Sequence, residues 1–280
     1  MKVEKWHGAG NDFVVVDGRD GRVPPDWERW TRAACERRRG IGADGVLVLE
    51  KHASGLDFRM HYRNADGGEA EMCGNGGRVL AAFATTRGMG SPDGPRGTIV
   101  RFLSRWGEHE ALVRELGDGL YDVTLTLPDV PAPEALDLDA PWGRISALLV
   151  RAGVPHLVVD RAHTPAATLD RVEIVPWGHA LRNHTRLGVP GANVDFVERG
   201  SDGVIAVRTY ERGVEGETLA CGTGATATAS AAARWGWGSS PVRLRTRGGD
   251  LLTVTFEGAD GALRDVRLQG PAARVFATDY

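Results

Sequence analysis

One nine-residue stretch occurs twice, and it constrains the fold more than any other feature: Gly68-Glu69-Ala70-Glu71-Met72-Cys73-Gly74-Asn75-Gly76 and Gly216-Glu217-Thr218-Leu219-Ala220-Cys221-Gly222-Thr223-Gly224. In each copy a Gly-Glu pair stands ahead of the cysteine, a Gly-x-Gly follows it, and an alanine-rich run then ends at a glycine. The cysteines lie 148 residues apart. Local sequence cannot relate residues that distant, so an internal duplication with one cysteine per half is the economical reading.

Other landmarks recur in the same order. Ala9-Gly10-Asn11-Asp12-Phe13-Val14-Val15-Val16-Asp17 returns as Ala152-Gly153-Val154-Pro155-His156-Leu157-Val158-Val159-Asp160, each a glycine turn leading into an apolar strand. Gly42 to Glu50 returns as Gly191 to Glu198 with one residue fewer, and strands over Phe58 to Arg63 and Ile205 to Tyr210 lead into the cysteine segments, with Tyr62 and Tyr210 expected in equivalent places. After each cysteine the pattern predicts one helix, Asn75 to Arg87 stopped at Gly88 and Thr223 to Arg234 stopped at Gly236. From Ala225 to Ala233 no side chain is larger than threonine, which lets a sheet approach closely on every side. The expected fold is therefore α+β: two pseudo-symmetric halves, each a central helix wrapped by strands. Pro128, Pro131, Pro133 and Pro141 punctuate the connection between them, and Ile99–Leu127 and Leu251–Phe276 alternate like meander strands.

A formal net charge of −3 with scattered Lys and Arg offers no footprint for nucleic acid or an anionic membrane. The N-terminus leads into no apolar signal segment and no apolar run is long enough to span a bilayer, so a cytoplasmic protein is expected. Three cysteines in 280 residues make no disulfide framework and show no metal-ligand spacing, so no metal is expected. Cys35 reads as a small core residue of a helix beginning near Trp27. Gly8-x-Gly10 is not expected to bind a dinucleotide: Phe13 stands at the third glycine, and the sequence shows no strand pattern before it and no βαβ pattern after it.

A cysteine at a helix N-terminus meets unpaired N–H groups that favour its thiolate and can also hold a carboxylate. Two such cysteines, one on each face of the carbon beside a bound carboxylate, could move a proton from one face to the other: a thiolate removes it and the opposing thiol returns one. Two other readings compete. The pair could be buried cysteines that cap nothing, or Cys73 and Cys221 could form a redox disulfide, although no resolving Cys-x-x-Cys is present.

Gly8-Ala9-Gly10-Asn11-Asp12-Phe13, the run from Asn64 to Gly76, Tyr210-Glu211-Arg212-Gly213, Glu217 to Gly224 and the terminal Gly270-Pro271-Ala272 together resemble diaminopimelate epimerase, from end to end of the chain. The resemblance implies an active cleft between the halves, with residues 1–121 and a returning strand at about 268–280 forming the first half and 122–267 the second. It implies interconversion of LL- and meso-diaminopimelate without pyridoxal phosphate, other cofactor or metal, on the route to lysine and cell-wall peptide. By position, Cys73 and Cys221 match the acid/base pair, and His156 and Glu211 the groups that assist the thiols. Gly74-Asn75 and Gly222-Thr223 match the helix starts that hold the reacting amino-acid end; Asn11, Asn64, Asn193 and Arg212, with Glu211 alongside, match the substrate-binding groups. A homodimer is also implied.

Two positions depart from the family pattern. Val154 stands where the family has Asn before Pro-His, and Gly45 where a polar side chain is common. Proline racemases share the duplicated architecture but flank their cysteines differently, and phenazine-type isomerases lack the paired cysteines. A racemase or epimerase of another amino acid is the alternative function.

Overall fold

The computed structural model describes residues 1–21, 24, 26–53, 55–70, 72–189 and 191–280; Glu71 of the first cysteine motif lies outside the described residues. The chain divides into two compact units, Met1–Thr126 with Gln269–Tyr280, and Leu127–Leu268.

The first unit holds β1 (Lys2–Gly8), β2 (Asn11–Asp17), α1 (Trp27–Cys35), β3 (Gly45–Glu50), β4 (Phe58–Asn64), α2 (Gly74–Thr86), β5 (Ser91–Pro92), β6 (Thr98–Ser104), β7 (Gly107–Gly117) and β8 (Leu120–Thr126). The second holds β9 (Glu134–Ala140), β10 (Gly143–Ala152), β11 (Val154–Asp160), α3 (Ile174–Arg182), β12 (Asn193–Arg199), β13 (Ile205–Glu211), β14 (Gly216–Thr218), α4 (Gly222–Trp235), β15 (Val242–Arg245) and β16 (Leu251–Glu257). β17 (Arg264–Asp279) begins in the second unit and ends in the first.

In the first unit β1 pairs with β2, β2 with β3, β3 with β4, β4 with β6, β6 with β7, β7 with β8, β8 with β17 and β17 again with β1, which closes an eight-stranded barrel. Closure leaves no sheet edge in that circuit. Helix α2 touches β1, β2, β3, β4, β6, β7 and β8. Its run Val79-Leu80-Ala81-Ala82-Phe83-Ala84 is buried all round, as a helix must be when strands lie on every side. At Gly8 a Cβ would come within 2.9 Å of the Asn75 carbonyl oxygen, so glycine there is what lets β1 lie against the first turn of α2.

In the second unit β9–β10–β11 run antiparallel, β11–β12 parallel, β12–β13 antiparallel, β13–β15 parallel and β15–β16 antiparallel. Helix α4 touches β10, β11, β12, β13, β15 and β16. Its alanines and threonines from Ala225 to Ala232 are buried, and it ends on Gly236 in the left-handed region, φ +68°. Both helices stand where the sequence places them, with starts one residue earlier.

The expected balance of α and β needs correction. The fold is mostly sheet, with seventeen strands against four α-helices among the described residues, and α1 and α3 have only nine residues each. Frequent Gly and Pro punctuation cuts the chain into segments too short for more helix, and long-range pairing takes up the alternating stretches as strands.

Strand register corrects a second expectation. Leu47 pairs with Tyr62 and Val46 with Arg63, whereas Asp195 pairs with Thr209 and Val194 with Tyr210. Phe13 pairs with Gly45 as His156 pairs with Asn193. Matching the ladders on Phe13 and His156 aligns Tyr62 with Thr209 and Arg63 with Tyr210. The two tyrosines are offset by one residue, enough to send their side chains to opposite faces of their strands.

Cys35 ends α1 in a cluster with Val14, Val16, Val46 and Val48, and burial pushes its thiol from 9.0 up to about 12. The folded state therefore holds this proton more tightly than the unfolded state does. The associated stability is complete below pH 9 and is lost as pH rises toward 12, at up to about 1.4 kcal/mol per pH unit. Cys35→Ala is expected to flatten the alkaline fall of the urea-unfolding free energy; a slope equal to that of the unsubstituted protein would rule this out. No helix among the described residues is long and apolar enough to cross a membrane.

Candidate active site

Each cysteine is the N-cap of its helix. Cys73 has extended backbone, φ −133° and ψ 119°, and its sulfur accepts the Gly76 N–H at 3.4 Å. Cys221, at φ −124° and ψ 115°, accepts the Gly224 N–H at 3.4 Å. A thiol in the N-cap place satisfies one of the four orphan donors of a helix start, and the rest stay available to an anion. Gly74 and Gly222 are the first residues of their helices and both are buried, while the two cysteines are half-buried.

Around Cys73 the groups are amides. Asn11 Oδ1 lies 3.5 Å from the sulfur and accepts Asn75 Nδ2 at 3.2 Å. Buried Arg78 donates to Asn75 Oδ1 at 2.8 Å, and Asn11 Nδ2 donates to Asp44 at 2.8 Å. Behind them Arg37 bonds both Asp12 and Asp44, at 2.8 and 2.7 Å, and Lys5 bonds Asp12 at 2.7 Å and also the Gly42 carbonyl. Burial works against the Asp12 charge, but its hydrogen bonds to Arg37 and Lys5 prevail and hold the carboxyl down at about 2. Asn64 ends β4, is exposed, and bonds Gly68 through its backbone N–H.

Around Cys221 the groups are titratable. His156 Nδ1 lies 2.7 Å from Asp195 Oδ2, and His156 Nε2 lies 2.9 Å from Thr223 Oγ1 and 3.2 Å from Asn193 Nδ2. Thr223 Oγ1 is in turn 3.4 Å from the Cys221 sulfur. Glu211 accepts the Thr218 hydroxyl at 2.6 Å and a hydrogen bond from the Cys221 thiol. Burial pushes the Glu211 carboxyl upward, with those two hydrogen bonds opposing it.

The helix start does not lower the Cys221 thiol as the sequence suggests. Although part of the residue is accessible, the atoms around the sulfur are dense, and burial first, then the Glu211 and Asp195 carboxylates, push it well up. The hydrogen bonds from Thr223 and Gly224 work in the other direction and are outweighed. A raised thiol keeps its proton until a substrate charge or a shift of hydrogen bonds releases it.

The structure thus sorts the predicted residues into two groups. Cys73, Asn75 and Asn11 are joined by hydrogen bonds in the first unit, with Gly74 between the first two in the chain; Cys221, Gly222, Thr223, His156, Asn193 and Glu211 adjoin one another in the second. Asn193 Oδ1 accepts the Arg212 backbone N–H at 2.8 Å, so Asn193 ties His156 to the Glu211-Arg212 turn. The Arg212 guanidinium has no hydrogen-bond or ion-pair partner among the described residues, which leaves its planar fork available to a carboxylate.

Asp195 and Thr209 escape the sequence reading. The signal for Asp195 is a lone carboxylate within the buried strand run Val194-Asp195-Phe196-Val197, where an unpaired charge would be costly. In the first unit the matching ladder places hold Phe13, Leu47 and Tyr62, a set without a carboxylate or an imidazole, in which the Phe13 and Tyr62 rings meet edge to face at 5.9 Å.

A family model described as diaminopimelate epimerase matches residues 3–95 and 148–271. The diaminopimelate epimerase of Aquifex aeolicus is 38% identical over 285 residues, covering 99% of this chain and 96% of its own. That of Chlorobaculum tepidum is 38% identical over 271 residues, covering 96% and 97%. Among solved structures, a probable proline racemase from Agrobacterium radiobacter has a TM-score of 0.76 at 18% identity, covering all of this chain and 92% of that one. A phenazine biosynthesis protein of the PhzF family from Bacillus anthracis has a TM-score of 0.73 at 14% identity, covering 100% and 98%. At such identities these last two show a shared fold and nothing finer.

Proposed function

The chain belongs to the diaminopimelate epimerase family, and from that premise we propose that its two cysteine-capped helix starts carry the proton transfers of a cofactor-independent epimerisation. The protein is an isomerase, and its reaction is the epimerisation of diaminopimelate, between the LL and meso forms. One thiolate takes the α-proton: the C–H bond breaks, an S–H bond forms, and the electron pair spreads into the adjacent carboxylate. The other thiol then protonates the opposite face, its S–H bond breaking as the new C–H bond forms. The N–H groups of the helix starts at Gly74-Asn75 and Gly222-Thr223 stabilise the charge that builds on the carboxylate. Glu211 and His156 exchange protons with the thiols or orient them.

The observation that carries this reading is the repetition of an N-cap cysteine on a Gly-x-Gly helix start. It also supports reading the two units as copies of one ancestral half. Landmarks in shared order and matching ladder places point the same way, although the polar set around His156 belongs to the second unit alone. Family membership favours the epimerase over the dithiol redox reading, for which an oxidised pair would be the working form and not an inactivated one.

Arg212 is assigned the distal carboxylate, with Asn64, Asn193 and Asn11 as the remaining polar groups of the substrate site. Remote contacts of this kind hold the α-proton in line, so they act on turnover as well as on binding. Arg212→Lys keeps the charge and loses the fork. It is expected to lower kcat/KM by about ten- to a hundredfold, the cost of one charge-assisted contact. The deciding experiment is incubation with LL-diaminopimelate in deuterated water, with proline as control. Incorporation of α-deuterium accompanied by appearance of the meso form supports the assignment. Exchange on proline but not on diaminopimelate would remove it.

A further inference from the structure

Asp195 and His156 are fully buried on neighbouring strands, β12 and β11. Asp195 Oδ2 lies 2.7 Å from His156 Nδ1, and its other oxygen accepts the Thr209 hydroxyl at 2.6 Å. An ionised carboxylate only accepts, so the proton of a neutral His156 ring sits on Nδ1 and Nε2 keeps a lone pair. Asn193 Nδ2 at 3.2 Å and the Thr223 hydroxyl at 2.9 Å both face that lone pair. Thr223 Oγ1 is also 3.4 Å from the Cys221 sulfur, so when the thiol proton turns from Glu211 to this hydroxyl, hydrogen bonds run unbroken from Asp195 to the thiol. A Cβ on Gly224 would come within 2.6 Å of Asp195 Oδ1, which places this carboxylate against the first turn of α4, where negative charge is favoured.

We propose that Asp195 is a positioning residue for Cys221, holding His156 in the Nδ1–H tautomer so that Thr223 relays a proton between the sulfur and Nε2. The proposal rests on the epimerase reading and adds to it a role for Asp195 and a second role for Thr223. When Cys221 gives up its proton, the S–H bond breaks and that proton passes to Thr223 Oγ1 as the original hydroxyl proton passes to Nε2. What remains is a thiolate, an intact hydroxyl and an imidazolium whose charge faces Asp195. The reverse shift restores the thiol. Glu211, the other carboxyl beside Cys221, is held by Thr218 and offers a separate exit. In the first unit the ladder places of His156, Asp195 and Thr209 are taken by Phe13, Leu47 and Tyr62, so among its described residues that unit carries no matching route to Cys73.

Three measurements test it: the ring 15N shifts of His156, the rate at which iodoacetamide alkylates Cys221 as followed on its own peptide, and epimerase kinetics. In the unsubstituted protein the shifts should report Nδ1–H. Asp195→Asn offers an amide donor to Nδ1 and should move the proton to Nε2. Thr223→Val should leave the tautomer alone. Both should slow alkylation and lower kcat more than they change KM, by on the order of a hundredfold in kcat, the usual worth of a placed acid or base. Thr223→Ser, which keeps a hydroxyl, should recover alkylation relative to Thr223→Val, an outcome that a merely structural role for the threonine would not produce. Persistence of Nδ1–H in Asp195→Asn, or a Thr223→Val protein alkylated and turning over like the unsubstituted one, would overturn the relay. Failure of the unsubstituted protein to epimerise diaminopimelate would instead count against the reading beneath it, because tautomer and alkylation rate are measured without substrate.

Discussion

Purified Cys73→Ala and Cys221→Ala proteins are each expected to lose diaminopimelate epimerisation while keeping their fold. Each change deletes one of two proton carriers, and a single placed acid or base is worth about 10² to 10⁴ in rate, so the loss of one leaves a step with no partner. Each sulfur also caps a helix, accepting the Gly76 or Gly224 N–H at 3.4 Å, so the alanine variants should lose about 1 kcal/mol of stability. Serine separates the two roles. A hydroxyl caps a helix at least as well as a thiol but does not ionise in the working range, so Cys73→Ser and Cys221→Ser should recover the stability and remain inactive. Chiral analysis of the product, with urea unfolding on the same samples, checks both halves of the expectation. Full turnover in any one of these variants would sink the two-thiol mechanism.

The second expectation compares two glycines at the same place in the two motifs. A Cβ on Gly224 would meet Asp195 Oδ1 at 2.6 Å and both Cys221 Cβ and Thr209 Oγ1 at 3.2 Å. None of these atoms can give way cheaply, because Asp195 is held by His156 and Thr209 at 2.7 and 2.6 Å. A Cβ on Gly76 would meet Leu47 Cδ2 at 3.0 Å and Met60 Cε at 3.4 Å, the far ends of flexible side chains. Gly224→Ala is thus expected to cost about 1 to 3 kcal/mol through overpacking and to cut turnover by loosening the His156–Asp195 pair. Gly76→Ala should cost a fraction of that and leave more activity. Equal losses in unfolding free energy at the two sites would contradict this account.

That Cys73 and Cys221 each stand at the start of a helix is legible from the chain alone, because the signal is local. An N-cap residue, a Gly-x-Gly and a run of small side chains act within one helical turn of each other, and repetition makes the pattern unmistakable. Cys35 was legible for the same reason: the spacing of apolar residues after Trp27 turns it inward, and it is buried. The glycine turns and buried strands at Phe13–Val16 and Leu157–Val159 follow from short contiguous patterns as well.

What only tertiary structure decided depends on strand register and on burial, and neither is written in any one segment. The offset between Tyr62 and Tyr210 is a one-residue difference in how strands pair, with no trace in the strands taken singly. The protonation bias of Cys221 departs from the local expectation for a related reason. The helix start favours a thiolate locally, but burial first, and then the Glu211 and Asp195 carboxylates that arrive from β13 and β12, push the thiol the other way and prevail. Asp195 is the clearest case. In sequence it is one charge in an apolar strand, and only the parallel pairing of β12 with β11, with α4 laid over both, turns it into the partner of His156 and ties that histidine to a cysteine 65 residues farther along the chain.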